Sequence, residues 1–279
     1  MTIIDGKAIS AQIREDLKKQ VEELKAQGIT PGLAVILVGD DPASAVYVRN
    51  KARACDELGM HSVVHTLPAQ TSKEELIALV HDCNDDKALH GILVQLPLPK
   101  HLDALEILRE VDPDKDVDGL HVVTAGRLLV GEKGFIPCTP KGVIRLIKST
   151  GTEISGKRAV VVGRSNMVGK PVSLLLMNEN ATVTMCHSRT ENLADVCAEA
   201  DILVAAIGRP EMIKGGFVKP GAVVIDVGTT KVDGKLKGDV LFDEAAQKAA
   251  FITPVPGGVG PMTITMLMEN TIEAARIYG

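Results

Sequence analysis

Apolar residues recur at helical spacing at Ile9, Ile13, Leu17, Val21 and Leu24, and the run stops near Gly28, which predicts an amphipathic helix over 6–27. A β-rich run over 33–38 follows, then a helix over 43–58, a short strand near 61–66, a helix over 72–84 and a buried strand over 91–95. This βαβαβ order predicts a mostly parallel sheet. From Pro97 to Pro140 the chain is punctuated by Pro, Gly and Asp and shows few clear strands, so a domain boundary is expected there. A second alternating series has a strand over 159–162, a helix over 168–178, and strands over 182–186, 202–205 and 223–227. The segment P-V-P-G-G-V-G-P, 254–261, is too rich in Pro and Gly for a helix or strand, and it leads into an amphipathic stretch over 262–277. No repeat of 20–50 residues interrupts this α/β pattern.

Length and composition narrow the class. At 279 residues, two domains are favoured, each able to bury a core, and 45% hydrophobic with 24% charged residues is ordinary globular usage. The 31 Lys and Arg are scattered against a net charge of −5, which argues against a nucleic-acid partner. With no Trp, two Tyr and four Phe, stacking platforms are scarce, and Tyr47 stands out. Five Cys without C-x-x-C spacing or a His cluster read as reduced structural thiols of a cytoplasmic protein, with no metal site. No run of 18 apolar residues and no signal-peptide core is present, so no membrane association is expected.

The segment A-V-V-V-G-R-S-N-M-V-G-K-P, 159–171, reads as a strand entering a glycine turn and a helix. Gly163 permits the tight turn, Gly169 lets the helix approach the sheet, and the first free amides of the helix are expected to face an anion such as pyrophosphate. Pro171 falls in the first helical turn, where a missing amide proton costs little. The spacing is not G-x-G-x-x-G, and a glycine pair alone also fits a plain strand-to-helix turn. Arg164 and Ser165 after this strand, and H-S-R-T at 187–190 after the next, favour a dinucleotide. Where an NAD enzyme commonly carries Asp or Glu, this chain has Ser188 and Arg189. A guanidinium suits the 2′-phosphate of NADP. His187 could stack on adenine, although a solvated loop histidine is the better reading.

On a helix over 43–58, Ser44, Tyr47 and Lys51 share one face. A surface face with a snorkelling lysine fits that spacing as well. Six ordered motifs bear on the choice: Y-V-R-N-K at 47–51, Q-L-P-L-P at 95–99, D-K-D-V-D-G at 114–119, P-C-T-P-K-G at 137–142, G-R-S-N-M-V-G-K-P at 163–171 and P-G-G-V-G-P at 256–261. With these motifs the chain resembles, over essentially its whole length, the bifunctional methylenetetrahydrofolate dehydrogenase/cyclohydrolase (FolD) family. Leu120 departs from the Phe expected there after D-V-D-G, which touches packing rather than chemistry.

The resemblance implies two three-layer α/β domains with an active-site cleft where they face each other. Residues 1–138 would form the substrate and catalytic domain, completed by the helix 262–279, and residues 139–261 a Rossmann-like NADP-binding domain. It implies a cytoplasmic homodimer that oxidises 5,10-methylenetetrahydrofolate with NADP to the methenyl form and hydrolyses that to 10-formyltetrahydrofolate. It further implies catalytic roles for Lys51, Gln95 and Asp118, and substrate contacts from Ser44, Tyr47, Leu96, Pro97, Gly257, Gly258 and Pro261. Cofactor contacts would come from Gly163, Arg164, Ser165, Ser188, Arg189 and Thr229. At an ordinary pKa of about 10.4, fewer than about one lysine in a thousand is neutral at pH 7, so Lys51 as a base requires a lowered value. Gln95 would aim the amine without adding negative charge. Two other readings stand beside this one: a dehydrogenase of the shikimate type, and a non-catalytic nucleotide-sensing protein. No G-x-x-x-x-G-K-[ST] loop is present, so ATP-dependent ligation is not expected.

Overall fold

A computed structural model describes residues 1–279. Its strands, in chain order, are β1 (Thr2–Ile3), β2 (Gly32–Val38), β3 (His61–Leu67), β4 (Gly91–Val94), β5 (Arg158–Val162), β6 (Thr182–Cys186), β7 (Ile202–Ala205), β8 (Val223–Asp226), β9 (Thr230–Val232), β10 (Lys235–Lys237) and β11 (Phe251–Ile252). The chain divides into two compact units, one of residues 12–138 with 264–279, the other of residues 1–11 with 139–263.

In the first unit β3, β2 and β4 form a parallel sheet in that order. Every residue of β2 is buried, as a central parallel strand covered on both faces requires. Ala34, Ile36 and Val38 pack with Leu76, Val80 and Cys83 of the helix Lys73–Asp85. That helix starts at a capping box in which Ser72 and Glu75 satisfy each other's backbone amides. Leu120, the departure from the family pattern, packs against this same core.

The second unit carries a six-stranded, all-parallel sheet in the order β1-β11-β8-β7-β5-β6. The chain steps from β5 outward to β6 and returns to β7 on the other side of β5. The carboxyl end of β5 is therefore the topological switch point, where open α/β sheets bind ligands. A hairpin, β9–β10, follows β8 and turns through Asp233 and Gly234, whose φ values of 48° and 79° suit the D-G pair of a type I′ turn.

The structure adds to or alters the sequence expectations at three places. β1 adds to the six-stranded sheet, Thr2 opposite Phe251, so residues 1–11 pack with residues 139–263. The stretch 97–140 holds no strand and the boundary between the units falls inside it, at Cys138/Thr139, as expected; it adds helices at Ala104–Leu108, Val122–Val130 and from Cys138, the first two capped by side chains of Asp103 and His121. The loop expected over 254–261 ends early, because the helix Val259–Tyr278 already includes Val259, Gly260 and Pro261. Proline is tolerated there since first-turn amides have no intrahelical partner. No helix is long and apolar enough to cross a membrane.

Leu203, fully buried on β7 in the core of the six-stranded sheet, tests this packing. Leu203→Ala should lower unfolding free energy by about 2–5 kcal/mol, read from denaturant titration.

Candidate active site

Lys51 lies on the helix Pro42–Leu58, which Asp41 caps by accepting the Ser44 amide at 2.7 Å. Its side chain points inward and is only 7% exposed. The ammonium donates to Gln95 Oε1 at 2.8 Å. Gln95 stands one residue beyond β4, its backbone amide bonded to the Ile36 carbonyl, and its side-chain amide donates to Leu96 O at 2.7 Å. Both side-chain ends of Gln95 are thus committed, with its oxygen aimed at the lysine. Burial lowers the Lys51 pKa, while the negative charge of Asp118 works against that shift. Asp118 is half-buried, and desolvation raises its pKa against the pull of Lys51 and a hydrogen bond from the Cys138 thiol.

The loop that presents Asp118 is built by Asp116. Its buried carboxylate accepts the amides of Leu120 and His121 and the hydroxyl of Thr124, at 3.1, 2.8 and 2.7 Å, and burial still pushes its pKa up to about 6. Gly119, at φ 73°, allows the chain to turn there. Behind it, Asn270 from the helix Val259–Tyr278 donates to the carbonyls of Val117 and Ile136, and the Cys138 thiol donates to Val117 O at 3.3 Å. Asp116, Cys138 and Asn270 are site-building residues that sequence reasoning did not single out. Cys138 lies inside the P-C-T-P-K-G motif, yet nothing along the chain sets it apart from the other four cysteines, which are also buried.

The other expected substrate residues fall in two places. Ser44 is buried and Tyr47 is 43% exposed on the Lys51 helix, while Leu96 and Pro97 follow Gln95 with a cis bond between them. Gly257, Gly258 and Pro261 belong to the other unit, where Gly257 accepts the Lys7 amide and Pro261 the Ser10 hydroxyl through their carbonyls.

In that unit Gly163, Ser188 and Thr229 follow the carboxyl ends of β5, β6 and β8, with Arg164, Ser165 and Arg189 beside them, all but Gly163 exposed. Gly163 has φ 130°, and a side-chain carbon there would run into the Ala206 carbonyl, just as one on Gly169 would run into Gly163 O. Both glycines are therefore required by close backbone approach. The free helix-start amides expected at this turn are not free. Ser165 Oγ accepts those of Val168 and Gly169 at 3.1 and 3.3 Å, and its carbonyl accepts that of Lys170. An anion here would be met instead by the exposed Arg164 and Arg189 guanidiniums. His187 Nδ1 accepts the Arg189 amide at 3.2 Å, which makes it part of that turn.

A parallel sheet with glycine-tight turns at its switch point, and a separate unit burying a lysine against an amide oxygen, define a two-unit enzyme of the dinucleotide-binding α/β class. Family models agree: residues 4–118 match the catalytic domain, and residues 137–278 the NAD(P)-binding domain, of tetrahydrofolate dehydrogenase/cyclohydrolase. The chain belongs to that family. It is 58% identical over 275 residues to the bifunctional protein FolD of Moorella thermoacetica, covering 98% of each chain. The crystal structure of the bifunctional FolD dehydrogenase/cyclohydrolase of Campylobacter jejuni superposes with a TM-score of 0.98 at 48% identity, covering 99% of each chain. That of the Trypanosoma brucei enzyme, complexed with NADP and an inhibitor, does so with a TM-score of 0.95 at 42% identity, covering 99% of this chain and 98% of the other.

The buried amine has a signature in stability. A lysine whose folded pKa is depressed binds fewer protons folded than unfolded between its folded value and about 10.4, so stability rises with pH across that window. Below the folded value the full cost of burying the charge remains. Lys51→Met removes both effects, and it should be more stable than wild type at neutral pH, with the difference shrinking as pH rises; denaturant titrations of both proteins across pH measure it.

Proposed function

We propose that this chain oxidises 5,10-methylenetetrahydrofolate with NADP and hydrolyses the methenyl product to 10-formyltetrahydrofolate, within one-carbon metabolism, as a cytoplasmic homodimer. The observation that carries the reading is the Lys51 amine, buried and hydrogen-bonded to an amide oxygen rather than paired with a carboxylate in contact.

In the first step the methylene carbon lies between two nitrogens whose lone pairs expel a hydride and leave a delocalised amidinium-type cation. Orientation matters more here than a protein base. Tyr47 would lie against the folate ring system and Asp118 would accept hydrogen bonds from the pterin amine and ring nitrogen. Ser44, Leu96, Pro97, Gly257, Gly258 and Pro261 complete the folate contacts. NADP, when bound, accepts the hydride. Residues 139–261 would hold it, with Gly163, Arg164 and Ser165 at the pyrophosphate, Ser188 and Arg189 at the 2′-phosphate, and Thr229 beyond β8. The crowded backbone at Gly163 and the two exposed guanidiniums fit such an anion.

Hydrolysis needs a group that takes a proton from water as it attacks the methenyl carbon and returns one to the departing ring nitrogen. Lys51 fits that role. Its lowered pKa raises the neutral fraction, and the approach of a cationic substrate lowers it further. Gln95 accepts from the amine and so aims it, without the full negative charge that would hold the proton in place.

A coupled absorbance assay with methylenetetrahydrofolate, following reduced cofactor and methenyl intermediate separately, tests both steps. NADP reduction without methenyl build-up supports them; no reduction with either NADP or NAD removes the folate reading. Lys51→Met should abolish methenyl hydrolysis while leaving the NADP Kd within about twofold, since the lysine lies outside the dinucleotide unit. Arg189→Ser should raise the KM for NADP about tenfold or more and leave that for NAD little changed, because only NADP carries the 2′-phosphate.

A further inference from the structure

Asp239 is fully buried directly after the β9–β10 hairpin, and nothing in the two reactions uses it. Its Oδ2 accepts the amides of Ile207 and Gly208, in the loop that leaves β7. Its Oδ1 has no hydrogen-bond partner and lies against Gly228, where a side-chain carbon would collide with it. The Asp239 backbone amide donates to Oδ1 of a second buried carboxylate, Asp226 at the end of β8, at 2.9 Å. Asp226 also accepts the amides of Gly228 and Val240, at 3.0 and 2.9 Å. Burial pushes the Asp226 pKa up to about 6, with the Asp239 charge adding to the rise and the donated amides opposing it.

The two carboxylates thus gather three separate pieces of backbone: the loop after β7, the loop after β8 and the exit of the hairpin. A core filler of similar size would need no such donors, and an unpartnered buried carboxylate oxygen is costly, so the arrangement persists because the loops are held by it. Those loops sit where the proposed NADP contacts do. Ala206, next to Ile207, has its carbonyl against Gly163, and Thr229 follows Gly228. With the helix-start amides already taken by Ser165, the placement of these loops matters more to an anion than the helix end does.

We propose that Asp239 is a positioning residue for the dinucleotide: it fixes the loop after β7, and with Asp226 the loop after β8, as a rigid rim against which the Gly163 turn is set. This rests on the NADP reading above. The test compares wild type with Asp239→Ala, Asp239→Asn and Gly228→Ala, the last adding a carbon that meets both the carboxylate and the backbone amide of Asp239 without deleting either. NADP Kd by calorimetry, steady-state NADP reduction, and hydrolysis of directly supplied methenyltetrahydrofolate are measured for each.

Asp239→Ala should raise the NADP Kd and KM about tenfold or more, with a much smaller fall in kcat at saturating NADP and with hydrolysis within about twofold of wild type. Asp239→Asn keeps an oxygen for the Ile207 and Gly208 amides and should recover most of that loss. Gly228→Ala should weaken NADP several-fold, and it decides the matter if Asp239→Ala does not fold. Wild-type NADP affinity in Gly228→Ala, or in a folded Asp239→Ala, would overturn the positioning role, as would equal losses in NADP reduction and direct hydrolysis. A wild type that binds no NADP would overturn the cofactor reading itself and the positioning role with it.

Discussion

The hydrogen bond from Lys51 to Gln95 depends on almost everything around it in residues 12–138 and 264–279. An amine is stable in a poorly solvated place only if its donors are accepted, and it stays fully charged only if a negative charge faces it. Here the contact acceptor is a neutral amide, and the charge of Asp118 acts from farther off. The balance leaves the lysine depressed, poised between an inert surface ammonium and a neutral hydrophobic stem. Holding that balance requires Gln95 to be fixed at its backbone by β2 and at its own amide by Leu96. It equally requires Asp118 to be held in place, which Asp116, Gly119 and Asn270 accomplish from three directions.

The dinucleotide unit obeys a different constraint, the crowding of backbone at the carboxyl ends of parallel strands. Gly163 and Gly169 are not interchangeable with any larger residue because each faces a carbonyl oxygen rather than a flexible side chain. Ser165 uses its hydroxyl and its carbonyl to close the helix start. The helix end, which in sheets of this kind often receives phosphate, here has its first amides taken up by Ser165. Buried carboxylates after β8 and after the hairpin then act as anchors for backbone amides.

Much of this was legible along the chain. Strands β2, β5, β7 and β8 are built on continuous apolar runs, and their alternation with amphipathic segments specifies a parallel arrangement. The face carrying Ser44 and Lys51 follows from helical spacing, and the glycines of 163–169 from their place between strand and helix. The hairpin at Asp233–Gly234 has a local signature too, a D-G pair between short β-prone segments. The short helices within 97–140 were hidden, because their starts depend on caps such as His121 accepting the Val123 amide, a contact with no strong sequence signature.

Local choices are written along the chain: which segments are strands, which face of a helix is apolar, where only glycine fits, and which motifs place the chain in its family. Tertiary structure alone decided partnerships between residues far apart in the chain. Residues 1–11 join the six-stranded sheet because two residues of β1 find an open strand edge at β11. Lys51 meets Gln95, Asn270 meets Val117, and Asp239 meets Ile207 across 44, 153 and 32 positions. No periodicity encodes such contacts, and the pKa of a buried group is set by them, since desolvation and charge act through space rather than along the chain.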